Sequence, residues 1–335
     1  MKTTLALTTL AAALCALPIG ATEEAKTDEV APDFQMKRCV NMGNALEAPK
    51  GNPWGRLYEK ADYKRIKEAG FDTVRIPMRW SDYTGPAPDY QIDPAFAETA
   101  DANIKWALVH GLKVIINIHH FNELMDDPGA NTARFIALWE QIAARYADKP
   151  GSVWFEVLNE PYKNLKGAPM RALQRQAIEI IRQENPTRIV MLGGEEWSGI
   201  RTLGTNLSSD DPNVIYTFHY YDPFSFTHQQ ATWLGDDMPK GKRGWGSKAD
   251  RAELAQAVTI ASDFRAATGK PIFLGEFGAN APIDNKQRVK WAGAVKTAME
   301  AADIPWCLWS YDNTFALYSR ETGWDKDMLK ALTSD

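Results

Sequence analysis

Residues 94–120 read PAFAETADANIKWALVHGLKVIINIHH, and the order of features along this run decides the fold. Pro94 to His110 carries a helical period and opens on a proline, which suits the first turn of a helix. At Gly111 the helix gives way to a residue that tolerates the left-handed backbone needed to turn the chain back. Lys113 to Ile118 follows at once as a short apolar strand. It ends in His119-His120, two polar rings where strand becomes loop.

The same helix, glycine, strand order recurs at Ala69-Gly70-Phe71 and at Thr268-Gly269-Lys270. Further strands are predicted at Cys39–Met42, Thr73–Ile76, Val153–Leu158, Arg188–Leu192, Val214–Phe218, Pro271–Leu274 and Pro305–Ser310, eight in all. Helical period fills the gaps at Glu59–Ala69, Thr132–Tyr146, Met170–Arg182, Arg251–Ala267 and Lys286–Ala302. Repeated strand-to-helix units imply a parallel sheet, and eight of them closing on themselves imply an α/β fold of (β/α)8 TIM-barrel type. A chain of 335 residues accommodates one such unit, so residues 37–335 are assigned to a single domain.

Ahead of it, Lys2, the apolar run Leu5–Ile19 and the small pair Gly20-Ala21 read as a cleaved secretory signal over residues 1–21. The run is too short for a membrane span. Residues 22–36 are polar, carry Pro32, and are read as a flexible leader. The expected destination is secreted or periplasmic. With 38 Lys plus Arg against 43 Asp plus Glu, the surface offers no electrostatic footprint for a phosphate backbone, so nucleic acid is not an expected partner. Cys39 and Cys307 fall on the first and eighth strands, which are neighbours in a closed barrel. A bridge is open to them, but buried free thiols are the favoured reading, since lone cysteines are commonly core residues.

Catalytic groups in such barrels sit where strands end. The strand ends here are Gly43-Asn44-Ala45-Leu46-Glu47, Arg75-Ile76-Pro77, His119-His120, Asn159-Glu160-Pro161, His219-Tyr220-Tyr221, Gly275-Glu276-Phe277-Gly278 and Trp309-Ser310. One Glu at a strand end is as often a capping or ion-pairing group as a catalyst. Two, Glu160 and Glu276, among Arg, Asn, His, Tyr and Trp are what acetal hydrolysis needs: one carboxyl to protonate the leaving oxygen, one to attack or activate water. Glu156 shares the parity of Glu160 and is expected one layer deeper in a polar contact. Glu195 and Glu196 are expected to open the helix after strand five, at least one of them structurally. A metal site built from His119, His120 and Glu123 is the rival arrangement. It is disfavoured because adjacent strand residues point to opposite faces and no His-Glu-x-x-His helix is present.

The chain resembles glycoside hydrolase family 5, the cellulases and mannanases, through Leu158-Asn159-Glu160-Pro161, His219-Tyr220-Tyr221 and Leu274-Gly275-Glu276-Phe277-Gly278, in that order and over about residues 37–332. It is most similar to the subgroup opening Asn-x-Gly-Asn-Ala-Leu-Glu, here Asn41–Glu47. The resemblance implies Glu160 as acid/base and Glu276 as nucleophile of a double displacement. It places further active-site roles on Arg75, His119, Asn159, His219, Tyr221 and Trp309. Arg75 and Tyr221 would hold Glu276 ionised, Asn159 would bind the sugar 2-hydroxyl, and Trp309 would floor the cleavage subsite. Repulsion from Glu276 would keep Glu160 protonated. Asn44, Glu47 and His120 are implied as contacts to sugar hydroxyls on the non-reducing side, with His228 and Trp233 as further contacts on the loop after strand six. The implied activity is endo-cleavage of β-1,4-glucan, with mannan or glucomannan as side substrates, by a monomer with no metal, cofactor or membrane partner. The alternatives are a β-mannanase and a non-catalytic carbohydrate-binding protein on the same barrel.

Overall fold

The computed structural model describes Met1 and residues 34–334. Residues 2–33, which hold the expected signal and most of the leader, lie outside the described residues. The last leader residues do not behave as leader: Met36 is buried, and the Phe34 ring lies 5.0 Å from Trp154 and 5.8 Å from Phe273.

Eight parallel strands close a barrel in sequence order: β1 Arg38–Asn41, β2 Thr73–Ile76, β3 Lys113–Asn117, β4 Val153–Glu156, β5 Val190–Gly193, β6 Val214–His219, β7 Ile272–Phe277 and β8 Trp306–Leu308. Flanking helices run Lys60–Glu68, Pro94–Val109, Pro128–Arg145, Gly167–Glu184, Lys248–Thr268, Asn285–Glu300 and Lys326–Thr333. Their apolar faces meet the outward residues of the strands. Val74, Val114, Phe155, Leu192, Phe218 and Leu274 belong to that outer core.

The inward residues form two regions of different chemistry. At the bottom, Cys39, Ile115, Trp154, Met191, Ile215, Phe273 and Cys307 make an apolar plug, which Met36 closes. Above the plug the inward residues are Asn41, Arg75, Asn117, Glu156, Thr217 and, one step higher still, His219, all buried. The barrel is therefore a packed core below and a polar socket above, at the strand ends where barrel sites are built.

The unit after β5 departs from expectation. Glu195–Ser198 is not a regular helix: Glu196, Trp197 and Ser198 have φ of 52°, 58° and 54°. Glu195 is structural, but it serves a different helix, accepting the backbone N–H of Gly167 at 2.9 Å. There it meets the positive end of Gly167–Glu184.

The free-thiol reading is overturned. Cys39 and Cys307 are register partners on β1 and β8 and are joined in a disulfide. Barrel closure places the two Cβ atoms on the same inward face, which composition could not reveal. Because the bond ties positions 268 residues apart, it restricts nearly the whole unfolded domain. Reduction is expected to cost roughly 2–5 kcal/mol of stability. Alkylation of the unfolded protein read by mass checks the bond: both thiols should label only after reduction, and labelling without reductant would rule the bond out.

Candidate active site

The socket is organised by Arg75, which is fully buried. Its Nε and Nη2 donate to the two oxygens of Glu156 at 2.6 and 2.9 Å, its Nη1 to Asn41 Oδ1 at 2.8 Å and Glu276 Oε1 at 2.7 Å, and its Nη2 also to Asn159 Oδ1 at 2.5 Å. All five guanidinium donors are used. Glu156 thus makes the internal polar contact expected of it, and Asn117 adds a further donor at 3.3 Å.

Glu276 reaches this guanidinium because β7 carries an irregularity. Phe218 pairs with Leu274 but His219 pairs with Glu276, and across β8 Leu274 pairs with Trp306 while Phe277 pairs with Leu308. One extra residue, Gly275, is inserted. Phe273 points inward and Leu274 outward, so strict alternation would turn Glu276 away from the socket. The bulge restores it to the interior, a common device beside active sites. Gly275 is required there, since a Cβ would stand 2.5 Å from Thr217 Oγ1.

The second oxygen of Glu276 accepts the Tyr221 hydroxyl at 2.9 Å. Glu160 stands opposite, its Oε1 2.7 Å from His219 Nδ1, while that same Nδ1 is 3.7 Å from Glu276 Oε2. Glu160, His219 and Glu276 each offer an oxygen or nitrogen such that all three lie within 4.8 Å of one another. His119 Nδ1 faces Asn117 Nδ2 at 3.2 Å, and the other side of that amide, Oδ1, accepts the Met78 N–H at 3.4 Å. Asn117 therefore donates to Nδ1, and the ring proton of His119 sits on Nε2, 4.0 Å from Glu276 Oε1. Trp309 lies parallel to the His119 ring at 5.6 Å, and Gly43 leaves room for its indole.

Burial dominates the electrostatics. It pushes the Glu160 carboxyl up to about 8, against the attraction of Arg75 and with added repulsion from Glu156. Burial also holds Glu276 above the ordinary carboxylate range, with His219 and Arg75 drawing it down, Glu160 pushing it up and the Tyr221 bond lowering it. The repulsion expected between the two carboxyls is thus secondary to desolvation, and it falls on Glu276. Glu276 accepts an Arg and a Tyr donor whereas Glu160 has one imidazole, so Glu276 ionises first. Burial lowers His119 and His219, and pushes His120 down to about 3 and His228 to about 4, so the rings are neutral near pH 7.

Above the socket opens a cleft of about 620 Å³. It brings together Asn44, His119, His120, Glu160, Tyr221, His228, Trp233, Glu276 and Trp309 from the sequence-based set. His119 and His120 both face it because β3 ends at Asn117 and strand alternation no longer applies. Arg75, Asn159 and His219 lie beneath, buried. Glu47 does not reach the cleft. It is fully buried, its carboxylate accepts the backbone N–H groups of Asn44 and Ala45, and burial pushes it up to about 7. It shapes the loop that presents Asn44 instead of touching solvent. Glu123 is exposed, 4.0 Å from Arg134, and does not join His119 and His120. Among the described residues the cluster with metal-ligand spacing is Glu160, His219 and Glu276 itself.

Several lining groups escaped the sequence reading. Trp54, Asn313 and Phe315 line the cleft from long loops after β1 and β8. Beside Glu160, Tyr162 stacks on Trp197 at 5.3 Å, and Trp197 is 53% exposed. An exposed indole on a left-handed run is the signal that points to it, and that run is visible only in the backbone.

The Cellulase (glycosyl hydrolase family 5) description matches residues 33–315. Endoglucanase H of Acetivibrio thermocellus is 34% identical over 89% of this chain, which spans 33% of that protein. The chain thus spans about a third of the length of the first curated relatives it matches. Among solved structures, the clostridial cellulose synthase subunit Z of Clostridioides difficile superposes with a TM-score of 0.87 at 34% identity, covering 90% of this chain and all of that one. Thermotoga maritima Cel5A in complex with cellobiose gives 0.85 at 40% identity, covering 89% and 97%, and the same enzyme is also solved with mannotriose.

The raised Glu160 has a consequence for stability. A carboxyl whose pKa goes from 4.5 unfolded to about 8 folded favours the folded state fully at pH below 4.5, and that contribution is lost as pH rises through 8. Glu160→Gln removes the titration while keeping the shape. Its melting temperature relative to the parent should therefore climb between about pH 5 and about pH 9. A difference independent of pH, followed by thermal melts, would contradict the raised value.

Proposed function

The chain belongs to glycosyl hydrolase family 5, the cellulases, and on that premise we propose that it is an endo-acting β-1,4-glucanase working with retention through a glycosyl-enzyme. The observation that carries this reading is the carboxyl pair: oxygens of Glu160 and Glu276 lie within 4.8 Å. That is the close spacing of retaining enzymes, too small for a water to sit between the two as inversion requires. The domain's relatives support the substrate class, with cellobiose and mannotriose bound to Thermotoga maritima Cel5A.

Glu276 attacks the anomeric carbon, its charge steadied by Arg75 and Tyr221. Glu160, protonated because it is buried, donates to the departing oxygen. Once Glu276 is esterified its charge is gone, and Glu160, now ionised beside His219, takes a proton from the incoming water. Asn159 is held by Arg75 for the 2-hydroxyl, and Trp309 lies under the sugar ring as an apolar platform. Residues 1–21 support action outside the cytoplasm, secreted or periplasmic. Mannan or glucomannan as additional substrate is supported by the mannotriose complex of the relative.

Glu160→Ala should lose at least about 100-fold in rate on barley β-glucan, the low end of a general acid's contribution. It should lose far less on an aryl cellobioside whose leaving group needs no proton. Glu276→Ala should be inactive on both. Equal activity of Glu276→Ala and parent in a reducing-sugar assay would remove the assignment of Glu276, whereas a parent that binds glucan and releases no reducing ends would favour a carbohydrate-binding protein. The kcat/KM profile of the parent should fall on the alkaline side near pH 8, where free Glu160 ionises.

A further inference from the structure

Asn41 ends β1, is fully buried and does not line the cleft. Its amide nevertheless joins three other strands. Its Oδ1 accepts Arg75 Nη1 of β2 at 2.8 Å. Its Nδ2 donates to the Gly275 carbonyl of β7 at 3.0 Å, and to the Leu308 carbonyl and Cys307 Sγ of β8, each at 3.3 Å. With carbonyl oxygens on one side and a guanidinium on the other, the amide has one way round in which every contact is donor to acceptor. Its main chain is held as well, since the Asn41 carbonyl accepts the Tyr311 N–H at 2.9 Å.

Two of these contacts bear on Glu276. Arg75 Nη1 carries two hydrogens, and Asn41 Oδ1 takes the one that Glu276 Oε1 does not. Glu156 grips the other edge of the guanidinium through both of its oxygens, so Asn41 fixes the remaining corner and with it the direction of the N–H aimed at Glu276. The second contact is with the bulge. An inserted residue is left out of the regular ladder, and Gly275 has no side chain with which to anchor itself. Asn41 Nδ2 holds its carbonyl from inside the barrel. Glu276 is thus controlled at both ends: its backbone begins at a residue Asn41 holds, and its carboxylate ends on a cation Asn41 holds.

We infer that Asn41 is a positioning residue for the nucleophile: one amide ties the bulge that delivers Glu276 to the guanidinium that receives it, and so sets where the carboxylate stands under the anomeric carbon. This rests on the glucanase reading and adds to it a residue that touches neither substrate nor reacting atoms. The chemistry suits an asparagine. A short side chain must offer a donor and an acceptor and carry no charge, because a carboxylate there would put a third anion on Arg75 and leave the Gly275 and Leu308 carbonyls facing another oxygen. An aliphatic side chain would make neither bond.

Covalent labelling with dinitrophenyl 2-deoxy-2-fluoro-β-cellobioside isolates the step in question. A Glu276 oxygen bonds to C1, the bond from C1 to the aryl oxygen breaks, and dinitrophenolate leaves with the electron pair without needing the Glu160 proton. The fluorine slows hydrolysis of the ester, so the glycosyl-enzyme accumulates and is counted by intact mass. In Asn41→Leu, and independently in Asn41→Val, the limiting rate constant of labelling should fall at least about tenfold, as it does when reacting groups are slightly misplaced. The reagent concentration giving half that rate should stay within about threefold of the parent's, because the cleft is unaltered.

A rate constant does not depend on how much of the sample is folded, so a variant that is only unstable labels a smaller fraction at the parent's rate. That result in either variant overturns the role and leaves the glucanase standing. Weaker half-saturation with an unchanged rate constant also overturns it, as does loss of the native near-ultraviolet dichroism in both variants, which would make Asn41 a folding residue. A parent that never labels sinks both readings.

Discussion

One buried guanidinium sets the terms for everything above the apolar plug. Arg75 has no access to solvent, and its five donors go to five acceptor atoms of four residues on three strands and their ends: Asn41, Glu156 on two bonds, Asn159 and Glu276. A planar fork of fixed charge can do this, whereas an ammonium group cannot. Taking a lone charge out of water is costly, and the two carboxylates in contact are what make it tolerable. The carboxylates in turn depend on the guanidinium. Removing it would leave two buried anions unpaired, so the residue orients the site and also permits the site to exist.

The division of labour proposed for Glu160 and Glu276 follows from the reach of that single cation. Glu276 touches it, and Glu160 does not. Contact depends on the bulge at Gly275, which converts an outward strand position into an inward one. The bulge is feasible because a glycine can approach Thr217 and His219 where any side chain would collide. On the following turn, a Cβ at Gly278 would strike the Trp309 carbonyl oxygen. A run of sequence, Gly275-Glu276-Phe277-Gly278, therefore encodes a backbone path as well as the proposed nucleophile.

What the sequence made legible were the periodic parts. Helix period, glycine stops and apolar runs located each barrel strand to within a few residues, and the rule that chemistry gathers at strand ends located Arg75, Glu160, His219 and Glu276. Features that depend on contacts between distant segments were not legible. The Cys39–Cys307 bond needs the two residues opposite one another in register, which strand order alone does not fix. The left-handed run at Glu196–Ser198 breaks a helix that acidic residues after a strand had suggested. The resemblance over Asn41–Glu47 implied Glu47 as a sugar ligand, yet its carboxylate turns back to cap the backbone of its own loop. Trp54, Asn313 and Phe315 lie on loops beyond the strand ends, and loops carry no period from which to place them. Strands supplied the floor of the site, which patterning predicts, whereas loops supplied the walls.

The same split between floor and walls bears on how the acid keeps its proton. The floor groups around Glu276 are already dry and hydrogen-bonded, so a sugar arriving in the cleft changes its surroundings little. Glu160 is different: its side chain remains 23% exposed at the cleft, and burial is already the largest influence raising it. A bound chain covers that face, displaces water and disfavours the ionised form further. Under the proposed mechanism, substrate binding widens the gap between the two carboxyls in the direction the first step needs. Esterification then takes Glu276 out of the titration, and water re-entering on the departing side lowers the cost of ionising Glu160. The loops that hold the chain over Glu160 are, in this sense, part of the proton chemistry without contributing a proton to it.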